Sequence, residues 1–200
     1  PRTTSTAATS SASPFALAGD AQRVFSVDPP GCQDIDDTMS VKVLPNGNLQ
    51  VGVHIADVSA YVTPGSEMDK EARVRGNSTY LPHRVIPMLP EELSNGICSL
   101  VPHEDRLTRC VVMEFDAKGN RKKTRFVSAV IHSKQRLTYE EAMEYLDGKP
   151  APKGDPIPDR VRETWRLAGL LRKRRFKNGG LDMEFPEVRV KLDDDGTPVG

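Results

Sequence analysis

The ten residues from Asp28 to Asp37 constrain the fold more than any other part of this 200-residue chain. They read Asp-Pro-Pro-Gly-Cys-Gln-Asp-Ile-Asp-Asp and contain four carboxylates but no lysine or arginine. Because proline fixes φ and glycine relaxes it, the Pro-Pro-Gly element predicts a sharp turn. Such a turn can bring Asp28 back beside the other three aspartates of the segment, Asp34, Asp36 and Asp37.

Like charges packed this closely raise one another's pKa, and a divalent cation removes that repulsion. Ligands that are all oxygen suit Mg²⁺, with Mn²⁺ as a possible substitute. In nucleases such clusters often hold two ions about 4 Å apart. A solvated acidic loop is the alternative. The apolar flanks Val24–Val27 and Met39–Val41 pull the segment towards a folded core. We therefore predict a metal site formed by all four aspartates.

Composition sets broader limits on the class of protein. Lysine plus arginine equals aspartate plus glutamate, at 28 each, so net charge favours neither a nucleic-acid nor a membrane partner. Cys32, Cys98 and Cys110 form no Cys-x-x-Cys pair, which argues against a disulfide framework or zinc site and predicts a reducing, cytoplasmic location. Cys32 should be a poor thiolate among carboxylates. No apolar run approaches the roughly 20 residues that span a bilayer, so no membrane association is expected.

The chain divides into two parts of different composition. Residues 1–22 are rich in Ser, Thr and Ala, and we expect a low-complexity linker or tail. Residues 23–200 read as one folded unit. Because a strand at Val188–Leu192 and a turn at Asp193–Gly196 begin a hairpin whose return strand has barely started at Gly200, we expect this unit to be truncated.

Periodicity predicts the secondary structure of the folded part. Alternating apolar residues predict strands, which are Val24–Val27, Thr38–Leu44, Leu49–Val58, Arg109–Phe115 and Lys123–Ser133. Asn46-Gly47 is a strong signal for a hairpin between the second and third. Capping patterns predict helices starting at Ser66 and Thr138. A third helix should run from Asp159 to Lys177 and bury an apolar stripe, Val161, Trp165, Ala168 and Leu171. The expected class is α/β (or α+β), a mixed, largely antiparallel sheet with surrounding helices.

The run Val27–Asp37 resembles the signature of the ribonuclease II / ribonuclease R family, whose catalytic domain is called RNB. Its Pro-Pro-Gly-Cys form is most similar to the exosome catalytic subunit of eukaryotes. Further segments resemble the family in the same order, namely Val53–Ser59, Asn77–Pro82, Ile86–Pro90, Cys98–Leu100, Asp105–Leu107 and Ile131–Tyr139. The resemblance covers about residues 24–193, so residues 23–200 are interpreted as the N-terminal portion of an RNB domain.

The resemblance implies a processive 3′→5′ exoribonuclease that hydrolyses single-stranded RNA to nucleoside 5′-monophosphates with Mg²⁺ and no organic cofactor. Asp28, Asp34 and Asp37 match the family's metal-site aspartates, and Asp36 matches the aspartate whose loss abolishes cleavage while RNA still binds. RNA contacts are implied for two aromatic residues, with Tyr80 stacking on bases and Tyr139 contacting ribose. Because further catalytic residues of the family fall beyond Gly200, we expect this fragment alone to be inactive.

Two other functions fit parts of the sequence. Asp34–Thr38 has the Asp-x-Asp-x-Thr pattern of haloacid-dehalogenase-type phosphatases, in which Asp34 would be the nucleophile. That motif normally follows an apolar strand directly, whereas Pro29–Gln33 intervene here, and it leaves Asp28 and Tyr80 unexplained. A catalytically dead RNB-type RNA-binding protein is the second alternative. Nuclease-dead members usually lack one cluster aspartate, and all four are present.

Overall fold

A computed structural model describes residues 24–183, 190–197 and 199. The predicted linker at 1–22 lies outside the described residues, and the predicted strand Val188–Leu192 lies partly outside them. The described β-strands and α-helices, in chain order, are β1 (Val24–Asp28), β2 (Asp37–Val43), β3 (Leu49–Ala56), α1 (Glu67–Arg75), β4 (Thr79–Leu81), β5 (Arg84–Ile86), β6 (Asp105–Phe115), β7 (Arg121–His132), β8 (Gln135–Thr138), α2 (Tyr139–Leu146) and α3 (Ile157–Lys177). A 3-10 turn at Val58–Ala60 and a π-helical turn at Glu92–Ile97 complete them.

A six-stranded sheet organises these elements, in the order β7-β6-β3-β2-β1-β8. Its neighbouring strands are antiparallel except β1 and β8, which are parallel. The prediction of a mixed, largely antiparallel sheet with helices around it is therefore confirmed. Strands β4 and β5 form a separate two-stranded hairpin. In the described part of the chain, no helix is both long enough and apolar enough to cross a membrane.

Local sequence signals placed most element boundaries correctly. The Asn-Gly hairpin joins β2 to β3, and Gly47 has the positive φ, +79°, that this turn requires. Helix α1 begins after Ser66, whose hydroxyl accepts a hydrogen bond from the Asp69 N–H. Helix α2 begins with a complete capping box between Thr138 and Glu141. The β6–β7 hairpin is also confirmed, although β6 begins four residues earlier than predicted, at Asp105 rather than Arg109.

The predicted apolar stripe of α3 is wrong after its first member. Val161 is buried against Phe25 and Tyr145 under α2, but Trp165 is 62% exposed. Ala168 and Leu171 are also exposed. Leu167 is the buried residue instead, and it packs with the core residues Val41, Leu49, Val51 and Phe115. The stripe shifts because the end of α3 lies against the β6–β7 turn, where Arg174 donates a hydrogen bond to the Gly119 carbonyl at 3.0 Å.

Candidate metal and RNA site

The acidic segment connects two central strands of the sheet. Asp28 is the last residue of β1, and Asp37 is the first residue of β2. Because β1 and β2 are antiparallel neighbours, both aspartates lie at the same end of the sheet. Asp34 and Asp36 lie on the loop between them. The four carboxylates are thus attached to ordered strands at both ends of the segment, which suits a site that needs fixed geometry.

The predicted turn within this segment is present. The Cys32 N–H donates to the Pro29 carbonyl at 3.2 Å, and Gly31 has a φ of +78°, in the left-handed region that favours glycine. From the neighbouring strand β8, the Arg136 guanidinium donates to the Cys32 carbonyl at 2.6 Å. The turn is therefore held both by its own backbone and by a side chain 104 residues away.

The four carboxylates differ in their hydrogen-bond partners. Asp28, which is 9% exposed, accepts a bond of 2.5 Å from the Ser26 hydroxyl. Asp34 accepts a bond of 2.6 Å from the Tyr80 hydroxyl. Among the described residues, no side chain or backbone N–H donates to the carboxylates of Asp36 and Asp37. These two exposed carboxylates are therefore the ones that keep their full capacity to bind a ligand.

Burial and mutual repulsion both act on the cluster. Partial desolvation is the main cause that raises the pKa of Asp36 above its ordinary value, followed by repulsion from Asp34, Asp37 and Asp28. The pKa of Asp28 is also raised by burial, and repulsion from Asp37 outweighs the opposing effect of the nearby Arg136 charge. The expected repulsion is present, but desolvation contributes more. A bound cation would relieve both effects, because it favours the charged carboxylate.

Cys32 is a poor thiolate, as the sequence predicted, but the main cause is burial and not the neighbouring carboxylates. Burial first, and then its hydrogen bond to Asp34, raises the pKa of the thiol to about 11. At neutral pH the Cys32 side chain is therefore a neutral thiol that donates to the Asp34 carboxylate, with Sγ and Oδ1 3.4 Å apart.

The donor set fits Mg²⁺ or Mn²⁺ in its chemistry. It consists of carboxylate oxygens, and two of its members have no competing hydrogen bond from described residues. Within residues 24–183, 190–197 and 199, however, no three His, Cys, Asp or Glu side chains are arranged so that they could hold a metal ion. Mg²⁺ is usually bound by one or two carboxylates together with water and substrate phosphate, not by an all-protein cage. The assignment of Asp28, Asp34, Asp36 and Asp37 as metal ligands stays a prediction.

Tyr80 reaches the acidic segment from β4. Its side chain is 65% exposed, and its hydroxyl donates to Asp34 across 46 residues of sequence. This hydrogen bond is the main cause that raises the pKa of Tyr80 to about 12. Between the β4–β5 hairpin and the segment lies a cleft of about 370 Å³, lined among others by Pro29, Gln33, Val85 and Asn95. The structure thus brings Tyr80 to the predicted site, whereas its contact with RNA stays a prediction.

Tyr139 and Tyr80 line different clefts. Tyr139 is the first residue of α2 and follows Thr138, which pairs with Asp28 across β8 and β1. Its ring is 54% exposed and lines an apolar cleft together with Met143 and Trp165. Among the described residues, no hydrogen bond joins Tyr139 to the aspartates. The strand register places Tyr139 near Asp28, and its predicted ribose contact is not tested by this geometry.

The supporting residues were missed at the level of sequence. Ser26, Ser99 and Arg136 hold the acidic segment, yet none belongs to a local motif that indicates such a role. Ser99 and Arg136 did lie in segments that resemble the family, Cys98–Leu100 and Ile131–Tyr139, and this resemblance was the available signal.

Fold and site together define an α/β domain with a carboxylate cluster at the end of its central strands. The model of the RNB domain matches residues 20–200, so the chain belongs to the RNB domain family. The family resemblance read from the sequence is confirmed.

Several relatives and solved structures are similar to this chain. It is 47% identical over 178 residues to Ribonuclease R of Thermotoga maritima, a match that covers 88% of this chain and 25% of that protein. It is 45% identical over 170 residues to Exosome complex exonuclease RRP44 of Mus musculus, covering 85% of this chain and 18% of that protein. The structure of Mycoplasma genitalium RNase R in complex with ribose-methylated single-stranded RNA matches with a TM-score of 0.82 and 34% identity, over 88% of this chain and 28% of that one. The chain therefore spans less than a third of the length of these proteins.

Proposed function

We propose that the full-length protein is a processive 3′→5′ exoribonuclease that hydrolyses single-stranded RNA to nucleoside 5′-monophosphates with Mg²⁺. One observation carries this proposal. The aspartates of the acidic segment lie together at the end of β1 and β2, and the Tyr80 hydroxyl donates a hydrogen bond to Asp34. The relatives support it, since they are named Ribonuclease R and exosome exonuclease, and the matched RNase R structure holds single-stranded RNA.

The four aspartates would hold Mg²⁺ (or Mn²⁺) and leave positions for water and phosphate oxygens. When bound, the metal supplies charge neutralisation at the phosphoryl oxygens and lowers the pKa of a bound water. We assign Asp36 the catalytic role because it matches the family aspartate whose loss abolishes cleavage, and its carboxylate accepts no hydrogen bond from described residues. Ser26 and Tyr80 orient the carboxylates of Asp28 and Asp34, which would hold the metal together with Asp36 and Asp37.

Tyr80 and Tyr139 would bind the RNA. The exposed ring of Tyr80 offers a flat surface on which any base can stack, a contact typically worth about 1–3 kcal/mol. Tyr139, near Asp28 in the strand register, would contact the ribose. A contact to the 2′-hydroxyl is what separates RNA from DNA at such a position. Free thiols at all three cysteines support a reducing location, and we place the protein in the cytoplasm.

The phosphatase alternative is not favoured by the position of Asp34. A phosphatase nucleophile would directly follow a strand, whereas β1 ends at Asp28 and five residues separate it from Asp34. The Asp34 carboxylate is also occupied by hydrogen bonds from Tyr80 and Cys32, which lower its availability for attack on phosphorus.

The test uses the full-length protein and an oligoribonucleotide labelled at its 5′ end. With Mg²⁺ we expect stepwise shortening from the 3′ end and release of nucleoside 5′-monophosphates, no reaction in EDTA, and no reaction on DNA of the same sequence. RNA binding without hydrolysis would instead support the catalytically dead relative. Phosphate release from small phosphomonoesters, with RNA intact, would support the phosphatase.

A further inference from the structure

Ser99 is a buried side chain that contacts the acidic segment on both sides of Asp34. Ser99 is 1% exposed. The Ser99 hydroxyl donates to the Gln33 carbonyl at 2.6 Å and accepts from the Ile35 N–H at 3.1 Å. One hydroxyl thus satisfies a backbone acceptor before Asp34 and a backbone donor after it, using both of its hydrogen-bonding capacities.

Residues 29–36 form no strand or helix, so their backbone groups need individual partners. Among the described residues, Ser99 is the hydrogen-bond partner of both the Gln33 carbonyl and the Ile35 N–H. The Leu100 N–H adds a third bond, to the Ile35 carbonyl at 2.9 Å. Asp34 lies between the two residues that Ser99 contacts. Asp36 follows directly after Ile35, and its carbonyl accepts a hydrogen bond from the Ala56 N–H at 3.0 Å. The Ser99 contact therefore fixes the backbone on both sides of Asp34 and next to Asp36.

Ser99 is itself held firmly. The Arg106 guanidinium donates to the Ser99 carbonyl at 2.8 Å, and Arg106 forms an ion pair with Glu104 at 2.7 Å. On the loop side, the Ile35 side chain is buried in one core cluster with Leu100. Groups that hold the ligands of a metal site in this way commonly affect metal affinity 10- to 100-fold, in rough terms.

We propose that Ser99 is a positioning residue, which sets the geometry of Asp34 and Asp36 for divalent-metal binding through the Gln33 and Ile35 backbone. The inference rests on the proposed function. Its rival is that Ser99 only stabilises the fold. Ser133 offers a matched comparison, because it is also 1% exposed and its hydroxyl has no hydrogen-bond partner among the described residues.

The experiment compares wild type, Ser99→Ala and Ser133→Ala in the full-length protein. Mn²⁺ alone is the probe, and free Mn²⁺ is measured by electron paramagnetic resonance, with thermal unfolding recorded in parallel. We expect Ser99→Ala to weaken Mn²⁺ affinity about tenfold. Added metal should then restore most of its kcat on RNA, with KM for RNA within about twofold of wild type. Ser133→Ala should bind Mn²⁺ like the wild type.

Equal Mn²⁺ affinity in wild type and Ser99→Ala, with only the melting temperature changed, overturns the inference. If Ser99→Ala does not fold, the measurement is made on Ser99→Cys, because the slightly larger thiol fills the site but forms weaker hydrogen bonds than the hydroxyl. Failure of both to fold, with Ser133→Ala folded, also overturns it, because Ser99 would then be a determinant of the fold. A wild-type protein that binds no Mn²⁺ and leaves RNA intact overturns the proposed function as well, a result distinct from the other two.

Discussion

The acidic segment and the β4–β5 hairpin meet at one cleft but are anchored very differently. The segment joins two central strands, and its backbone is bonded by Ser99, Leu100 and Arg136. In the described part of the chain, the three-residue strands of the hairpin pair only with each other, and all six of these residues are exposed. Among these described residues, one hydrogen bond links the hairpin to the segment, from Tyr80 to Asp34.

Under the proposed function, the two regions would have different tasks. Metal-binding carboxylates need a fixed geometry, and tight backbone bonding provides it. An element that receives successive bases of an RNA has to adjust, and elements with few buried contacts open most easily. We therefore expect the acidic segment to be rigid and the β4–β5 hairpin to be the movable half of the site.

Asp36→Asn should produce the largest effect, on the rigid half. The change keeps the shape of the side chain and removes one negative charge from the cluster, so turnover of RNA should fall about a thousandfold or more. RNA affinity, measured by filter binding, should stay within about threefold, because hairpin contacts remain. Asp194→Asn, in an exposed turn, is the control. Turnover like that of the wild type in Asp36→Asn would end the assignment.

Lowering the pH should reduce the free energy of unfolding of the sheet that carries the acidic segment, because His54 gains a proton when the sheet unfolds. This residue is fully buried, bonds Ser40 and Cys110, and burial lowers its pKa to about 4 from 6.5. Because unfolding lets His54 bind a proton, its contribution to stability is complete above pH 6.5 and is lost as pH falls towards 4. The loss should reach about 3 kcal/mol.

Hydrogen exchange of β2 and β3 amides, converted to opening free energies at pH 7 and pH 5, measures this effect. The raised pKa values of Asp28 and Asp36 act in the opposite direction, so the comparison is with His54→Gln, which should reduce the acid sensitivity. Replacement of the exposed His83 by Gln should leave the acid sensitivity of the β2 and β3 amides unchanged. An equal pH response of the β4–β5 amides would contradict the division into two halves.

Tyr80→Ala should affect the movable half. Loss of the ring removes a stacking surface, and RNA affinity should fall about tenfold, within the range of about 1–3 kcal/mol per base. The final limit product should also become longer, as seen on a denaturing gel. Val74→Ala, on α1 and 83% exposed, is the control and should leave the product length unaltered. An unaltered product in Tyr80→Ala would remove the stacking role.

Tyr80→Phe should have the smallest effect and separates the two functions of this side chain. The ring stays, so the limit product should match the wild type. The hydrogen bond to Asp34 is lost, and β4–β5 amides should open about fivefold more often, as expected for about 1 kcal/mol. Tyr61→Phe, which removes a tyrosine hydroxyl outside the β4–β5 hairpin, is the control for hydrogen exchange. Unchanged exchange in Tyr80→Phe would show that the hairpin is anchored by other contacts.

Most of the fold was predictable, because its signals are local. The Asn46-Gly47 turn, the Ser66 cap and the Thr138–Glu141 capping box each act over two to four residues. Strand β8 and the β4–β5 hairpin were missed because three or four residues are too few to show a period. The α3 stripe was wrong because the face that a helix buries depends on what it lies against.

The acidic chemistry of the candidate site follows from the sequence alone, since four aspartates and a Pro-Pro-Gly turn within ten residues are covalent facts about this chain. The family also follows from the sequence, through motifs in a characteristic order. The groups that orient those aspartates become visible in the folded structure alone. Tyr80, Ser99 and Arg136 lie 46 to 104 residues from their partners, and contacts at that distance follow from packing of the whole sheet, which no local pattern encodes.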